Sequence, residues 1–243
     1  MSIAANIAQV QAEIAAACAR ADRAPAGVTL VAVSKTHPPA AILQAVEAGL
    51  RHFGENRVEE SETKIPATIA QTDEPLIWHM IGHIQSRKAK QIPPLYQVVH
   101  SVDTLKLAAK LSQQLTAAAD TLDVLLETNV SGEASKAGFA AAGWHTDPAI
   151  RERLLAEIGQ IVALPGLNVR GLMTMAPIVA DAAQTRPIFA DLRQLRDLLA
   201  DSLHHPLPDL SMGMTDDYPV AIEEGATIVR IGRAIFGERQ TER

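Results

Sequence analysis

The feature that most constrains this chain is a regular alternation of short apolar runs with longer amphipathic stretches. The runs fall at residues 28–33, 52–54, 76–81, 97–100, 122–128, 167–172, 209–211 and 227–231. Short apolar runs rich in β-branched residues read as strands buried on both faces. Helical patterns lie between them. One spans 40–48 and is closed by Gly49, and a charged one follows Glu55-Asn56-Arg57. Another runs to about 119 with Asp103 as its N-cap, and Asp147-Pro148 opens one that stops near Pro165-Gly166. The last three are a long helix over 180–203 with Pro187 in its first turns, a helix through Glu224, and a short closing helix from Gly232. Eight strands, each followed by a helix or helical turn, predict a parallel sheet of the α/β class. At 243 residues the expectation is one (β/α)8 TIM barrel over 1–243, a fold of about 250 residues. An open doubly wound sheet is the alternative, but no glycine-rich dinucleotide fingerprint opens the first helix. Ile3, Ile7, Val10, Ile14 and Cys18 recur at helical spacing, so an extra amphipathic helix is expected over 1–22; a frayed tail is expected over 238–243.

Composition narrows the function classes. Apolar residues make up 47% of the chain but aromatics only 3%, so aliphatic side chains fill the core and base-stacking platforms are disfavoured. A net charge of −6 with no long basic run argues against a nucleic-acid partner. The single cysteine, Cys18, allows neither an internal disulfide nor a thiolate metal cluster, which fits a reducing compartment. Gln9, Gln11 and Glu13 interrupt any signal-peptide core, and no stretch is apolar for long enough to span a membrane.

In a barrel the loops after the strands build the site. Strand one delivers Val31-Ala32-Val33-Ser34-Lys35. A lysine at the end of a buried strand loses hydration; its pKa falls, and a neutral amine can form an imine with an aldehyde. The plain alternative is a lysine leaving the sheet into water. At the other end of the chain, Arg230-Ile231-Gly232-Arg233 is a strand, a glycine and a helix start, beside the turn Ser211-Met212-Gly213-Met214. Loops seven and eight of barrels recurrently bind phosphate, although Gly232 also suits tight helix–strand packing. Arg230 reads either as a fixed cation facing a ligand or as a partner of Glu223 or Glu224. Lysine, phosphate cup and inward arginine together describe an aldehyde-bearing phosphate, such as pyridoxal 5′-phosphate or a sugar phosphate. Asn56 is either a helix cap or a ligand contact. His79 reads foremost as a packed core histidine, and His79 and His83 lack a third ligand at metal spacing, so no metal is expected. Lys136 sits in a loop expected to be mobile, and Met173, Met175, Met212 and Met214 read as core filler.

These residues resemble a known family. Val31-Ala32-Val33-Ser34-Lys35-Thr36, Phe53-Gly54-Glu55-Asn56, Trp78-His79-Met80-Ile81-Gly82, Ser211-Met212-Gly213-Met214-Thr215-Asp216-Asp217 and Val229-Arg230-Ile231-Gly232-Arg233-Ala234-Ile235-Phe236-Gly237 look like the pyridoxal phosphate homeostasis protein family. That family is similar in fold to the N-terminal barrel of bacterial alanine racemase. The resemblance implies pyridoxal 5′-phosphate as cofactor, held by Lys35 as a Schiff base. Ser211 and the amides of Gly232 and Arg233 would hold its phosphate, Arg230 would face its pyridine nitrogen, and Asn56 and Ile81 would line its ring. His79, Lys136 and Met212 are secondary candidates. The position of Arg233 is commonly threonine in the family, which removes one hydroxyl contact; an arginine there either substitutes a charge-assisted contact or points away. The resemblance further implies a cytoplasmic monomer that buffers or delivers the cofactor, with apo pyridoxal-phosphate enzymes as partners and no established catalytic residues.

Two other activities remain to be distinguished. A weak amino-acid racemase is one. Against it, an arginine at the pyridine nitrogen makes the ring a poorer electron sink. Racemisation also uses a second acid/base, and Tyr96 and Tyr218 lie in no matching motif. A cofactor-free Schiff-base aldolase is the other.

Overall fold

Parallel pairing, with every strand carrying a buried face, closes this chain on itself. The computed structural model describes residues 2–238, so the tail expected to fray lies outside the described residues beyond Glu238. The strands are β1 (Thr29–Val33), β2 (His52–Glu55), β3 (Ile77–Met80), β4 (Val98–Val102), β5 (Leu122–Asn129), β6 (Phe139–Ala140), β7 (Leu167–Met173), β8 (Asp209–Ser211) and β9 (Ile228–Ile231). They bond in the order β4-β3-β2-β1-β9-β8-β7-β5, and a β4–β5 pairing closes the ring. Eight of them therefore form the expected (β/α)8 barrel. The two-residue β6, absent from the sequence reading, pairs with the last residues of β5; it is too short to leave a periodic signal.

The helices are α1 (Ile3–Arg20), α2 (Pro39–Glu47), α3 (Val58–Ile69), α4 (Leu105–Ala118), α5 (Pro148–Val162), α6 (Arg186–Leu203), α7 (Tyr218–Glu223) and α8 (Arg233–Phe236). A 3₁₀ turn, Ser86–Gln91, stands where a helix would follow β3. Asp147 caps α5 through Ala149 N, as its sequence predicts. Asp103 does not cap α4. Thr104, one residue on, accepts from Leu107 N at 3.2 Å, and Asp103 pairs with His83 at 3.1 Å. The segment expected as one helix over 180–203 begins as a 3₁₀ turn, Ala182–Thr185, and α6 proper starts at Arg186. Pro187 then occupies the first turn, where its missing N–H costs no helical bond.

Side-chain alternation sorts the strands into two layers. Ala32, Phe53, Trp78, Val99, Val124, Leu126, Leu172, Leu210, Val229 and Ile231 join the helices in the large outer core. Val31, Leu125, Met173 and Ile228 pack together inside the barrel, with Val98 against them. The face of α1 read from the sequence is the buried one, with Ile7, Val10, Ile14, Ala17 and Cys18 covered. This helix docks on the end of the chain: Asn6 Nδ2 donates to Ile235 O at 2.8 Å, and Tyr218 Oη donates to Glu13 at 2.5 Å.

Candidate functional site

The C-terminal ends of parallel strands all emerge on one side of a barrel, so Lys35, Asn56, Ile81, Lys136, Ser211, Gly232 and Arg233 share one mouth. Lys35 lies two residues beyond β1, half-buried, in a turn closed by His37 N donating to Ser34 O at 3.0 Å. Thr36, next in that turn, has φ 67°, a left-handed conformation that a β-branched residue adopts only under constraint. The constraint comes from an ion cluster behind the strands. Ser34 Oγ donates to Glu55 Oε1 at 2.7 Å, and Lys64 Nζ of α3 donates to Ser34 O at 3.0 Å. Lys64 also pairs with Glu55 at 3.0 Å and with Glu60, whose Oε1 accepts from Thr36 N at 2.6 Å. Glu55 is fully buried, and that burial raises its carboxyl pKa against the opposing pull of Lys64. Both neighbours of Lys35 are thus anchored to one buried cluster.

Asn56 follows β2 and does not cap α3: Arg57 occupies the cap position and makes no side-chain bond there. Asn56 Oδ1 is instead a buried acceptor without a hydrogen-bond partner; among the described residues the one other buried side-chain polar atom without a partner is a donor, Trp78 Nε1. Gly82 explains how Asn56 is placed. A Cβ at residue 82 would lie 2.2 Å from Asn56 O, so only glycine lets the loops after β2 and β3 touch. Ile81 N bonds Glu55 O at 2.9 Å, and its side chain lies 3.1 Å from where a Cβ on Gly54 would sit.

Arg230 points into the barrel, 5% exposed. It does not pair with Glu223 or Glu224, which are taken by Arg20, Arg186 and Arg193 on the outside. Its guanidinium donates to Ser211 O at 2.9 Å, Ser211 Oγ at 2.5 Å and Thr174 O at 2.9 Å. Burial draws its pKa down to about 10, against the pull of Asp217 and Glu127, so it stays charged at neutral pH. Ser211, expected on a phosphate, turns its hydroxyl inward; besides Arg230 it meets His100 Nδ1 at 2.8 Å. The side chain is fully buried and both of these contacts are internal.

The remaining candidates divide clearly. Gly232 sits at the N-cap of α8, beside Val33 of β1. Arg233 points to Asp216 at 2.5 Å in an exposed pair. His79 is buried with both ring nitrogens engaged, Nε2 to His52 at 3.0 Å and Nδ1 to His100 at 2.8 Å. Burial lowers its pKa to about 3, with a smaller contribution from His52, and lowers His100 well below the usual value. His79 is thus a core histidine. Lys136 is tied to Glu133 at 2.6 Å and to Met175 O at 2.9 Å, a bridge between the loops after β5 and β7 rather than a solvated side chain. Met212 is fully buried in the outer core, so its side chain does not reach the mouth. Met175, read as core filler, is exposed.

His100, Thr174, Glu55 and Lys64 were not singled out from sequence. The available signal was a histidine at the inward register of three successive strands, His52, His79 and His100.

Comparison with known proteins bears on this geometry. Residues 5–240 match the family model described as alanine racemase, N-terminal domain. An alanine racemase from Clostridium difficile has the same fold, with a TM-score of 0.71 at 12% identity over 99% of this chain and 58% of that one. The chain is thus a barrel of the alanine racemase N-terminal class. Nearer relatives are proteins named pyridoxal phosphate homeostasis protein. That of Pseudomonas aeruginosa is 49% identical over 98% of this chain and 96% of its own length, and that of Escherichia coli K12 40% identical over 98% and 97%. The structure of PipY from Synechococcus elongatus with PLP bound has a TM-score of 0.80 at 36% identity, covering 97% of this chain and all of that one. The chain belongs to the pyridoxal phosphate homeostasis protein family.

Proposed function

We propose that this protein binds pyridoxal 5′-phosphate through Lys35 and serves intracellular homeostasis of that cofactor without robust turnover. The observation that carries the reading is the orphaned acceptor of Asn56. It leaves a buried polar group beside Lys35 for a ligand to complete. The donor set fits the rest of the molecule: Lys35 supplies an amine for the aldehyde, Arg230 a fixed cation for the pyridine end, and Ile81 an apolar wall for the ring. The amides of Gly232 and Arg233 lie at the next strand end for the phosphate. When bound, the cofactor supplies an electrophilic carbonyl and an electron-accepting ring. Arg230 opposes protonation of that ring, which mutes the second property. The two tyrosines support the same restraint. Tyr96 Oη donates to Ser61 and Tyr218 Oη to Glu13, both on the outer layer. Neither is placed as a second acid/base. The reading extends to a cytoplasmic monomer that hands the cofactor to apo enzymes.

Titration of the purified protein with pyridoxal 5′-phosphate tests it. A visible imine absorbance is expected in the wild type and should vanish in Lys35→Ala. No absorbance in the wild type, or an unchanged one in Lys35→Ala, sinks the assignment. Incubation with L-alanine in deuterated water should give no Cα exchange above that of the free cofactor.

A further inference from the structure

Three imidazoles inside the barrel have no part in that reading. His52 Nδ1 lies 3.0 Å from His79 Nε2, His79 Nδ1 lies 2.8 Å from His100 Nε2, and His100 Nδ1 lies 2.8 Å from Ser211 Oγ. Heavy-atom distances alone do not say which nitrogen of each pair carries the hydrogen. The end of the row does. A guanidinium has donors only, so Ser211 Oγ must accept from Arg230. Ser211 is fully buried, and its own hydroxyl hydrogen needs an acceptor. The other contact of that oxygen is His100 Nδ1. Were His100 to donate instead, the hydroxyl hydrogen would be left unpaired in a buried site, the costly arrangement. Ser211 therefore donates to His100 Nδ1, which puts the His100 hydrogen on Nε2. That hydrogen is donated to His79 Nδ1, and the hydrogen on His79 Nε2 is donated to His52 Nδ1. The row ends with His52 Nε2–H at the half-buried start of β2. Every hydrogen between Arg230 and His52 then has an acceptor, and no ring needs a second proton.

We propose that His52, His79 and His100 form a one-way chain of neutral imidazoles, all protonated on Nε2, and that His100 acts through Ser211 as a positioning residue for Arg230. The chain stands on the internal geometry; the service of Arg230 to a cofactor rests on the reading that pyridoxal 5′-phosphate binds here. One of the three contacts on the guanidinium, the one to Ser211 Oγ, exists only while that oxygen's hydrogen is directed to His100. Burial of the rings acts in the same sense, since it disfavours a second cation beside Arg230.

The first test is long-range ¹H–¹⁵N correlation of the histidine rings in ¹⁵N-labelled full-length protein at neutral pH. Three neutral rings protonated on Nε2 are expected, with couplings across the two N–H···N bridges. A charged ring, or a hydrogen on Nδ1, in any of the three overturns the chain. The second test compares His100→Leu with His100→Asn, whose amide oxygen restores an acceptor for Ser211. Affinity for pyridoxal 5′-phosphate should fall about tenfold in His100→Leu, with a shifted visible band, and should recover in His100→Asn. Wild-type affinity and band in His100→Leu overturn the positioning role, as does a His100→Asn as weak as His100→Leu. If His100→Leu does not fold, the ring correlation and a wild-type-like His100→Asn decide. If the wild type takes up no pyridoxal 5′-phosphate, the cofactor reading fails while the ring correlation still settles the chain.

Discussion

Asn56 makes the case at the scale of one residue. A buried acceptor without a donor lowers stability by about 1–3 kcal/mol, and a structure retains such an atom at a site where something else completes it. Asn56→Ala should therefore leave the stability of the ligand-free protein unchanged or slightly raised, measured by urea unfolding. The same variant should bind pyridoxal 5′-phosphate about tenfold more weakly by absorbance titration. A loss of stability with unchanged binding would show that Asn56 is structural. The sequence offered Asn56 two roles, cap or contact, and could not choose between them. The choice depended on Arg57 taking the cap position and on Gly82 pressing against the Asn56 backbone, both tertiary facts.

At the scale of the element, the turn carrying Lys35 is held by Glu55, Lys64 and Glu60. A buried ion pair loses more when one partner is removed than when both are replaced. Lys64→Met should cost about 3–5 kcal/mol, because Glu55 is then buried and uncompensated. Adding Glu55→Gln to Lys64→Met should restore part of that loss, which a double-mutant cycle by chemical denaturation would read. Strands β1 to β5 and β7 to β9 were legible because each is a short apolar run between turn residues. The cluster was not, because Glu55 and Lys64 look like surface charges until α3 packs behind β2. Strand β6 and the Thr104 cap were lost for a different reason: boundaries and two-residue strands leave no periodicity to read.

For the whole molecule, the barrel interior makes an acid-stability prediction. His79 has a folded pKa of about 3, and His52 and His100 are lowered as well. The unfolded chain binds protons at these rings from about pH 6.5 downward, whereas the folded one does not. The contribution of His79 is therefore complete above about pH 6.5 and is lost progressively as pH falls toward about 3, at roughly 1.4 kcal/mol per pH unit, and His100 and the half-buried His52 act in the same direction. Urea midpoints measured across that range should fall with acid, and His52→Gln should flatten the slope. The closed barrel and its C-terminal mouth were legible from the alternation of strands and helices and from Lys35, Arg230 and Gly232. The polar floor was not, because a histidine in a strand reads the same whether it faces a lipid-like core or another histidine.

The docking of α1 on α7 and α8 has a consequence for how the chain is made. Its apolar face is synthesised long before Tyr218 to Ile235, the segment to which α1 bonds through Asn6 and Glu13. The part of that face under α7 and α8 therefore waits while the intervening barrel is made, a long-range contact of the slow, aggregation-exposed kind. Cys18, fully buried on that face and the chain's single cysteine, is a built-in clock for the event. Its thiol should react faster on chains truncated before Tyr218 than on the full chain, where its labelling rate should report how often α1 lifts away.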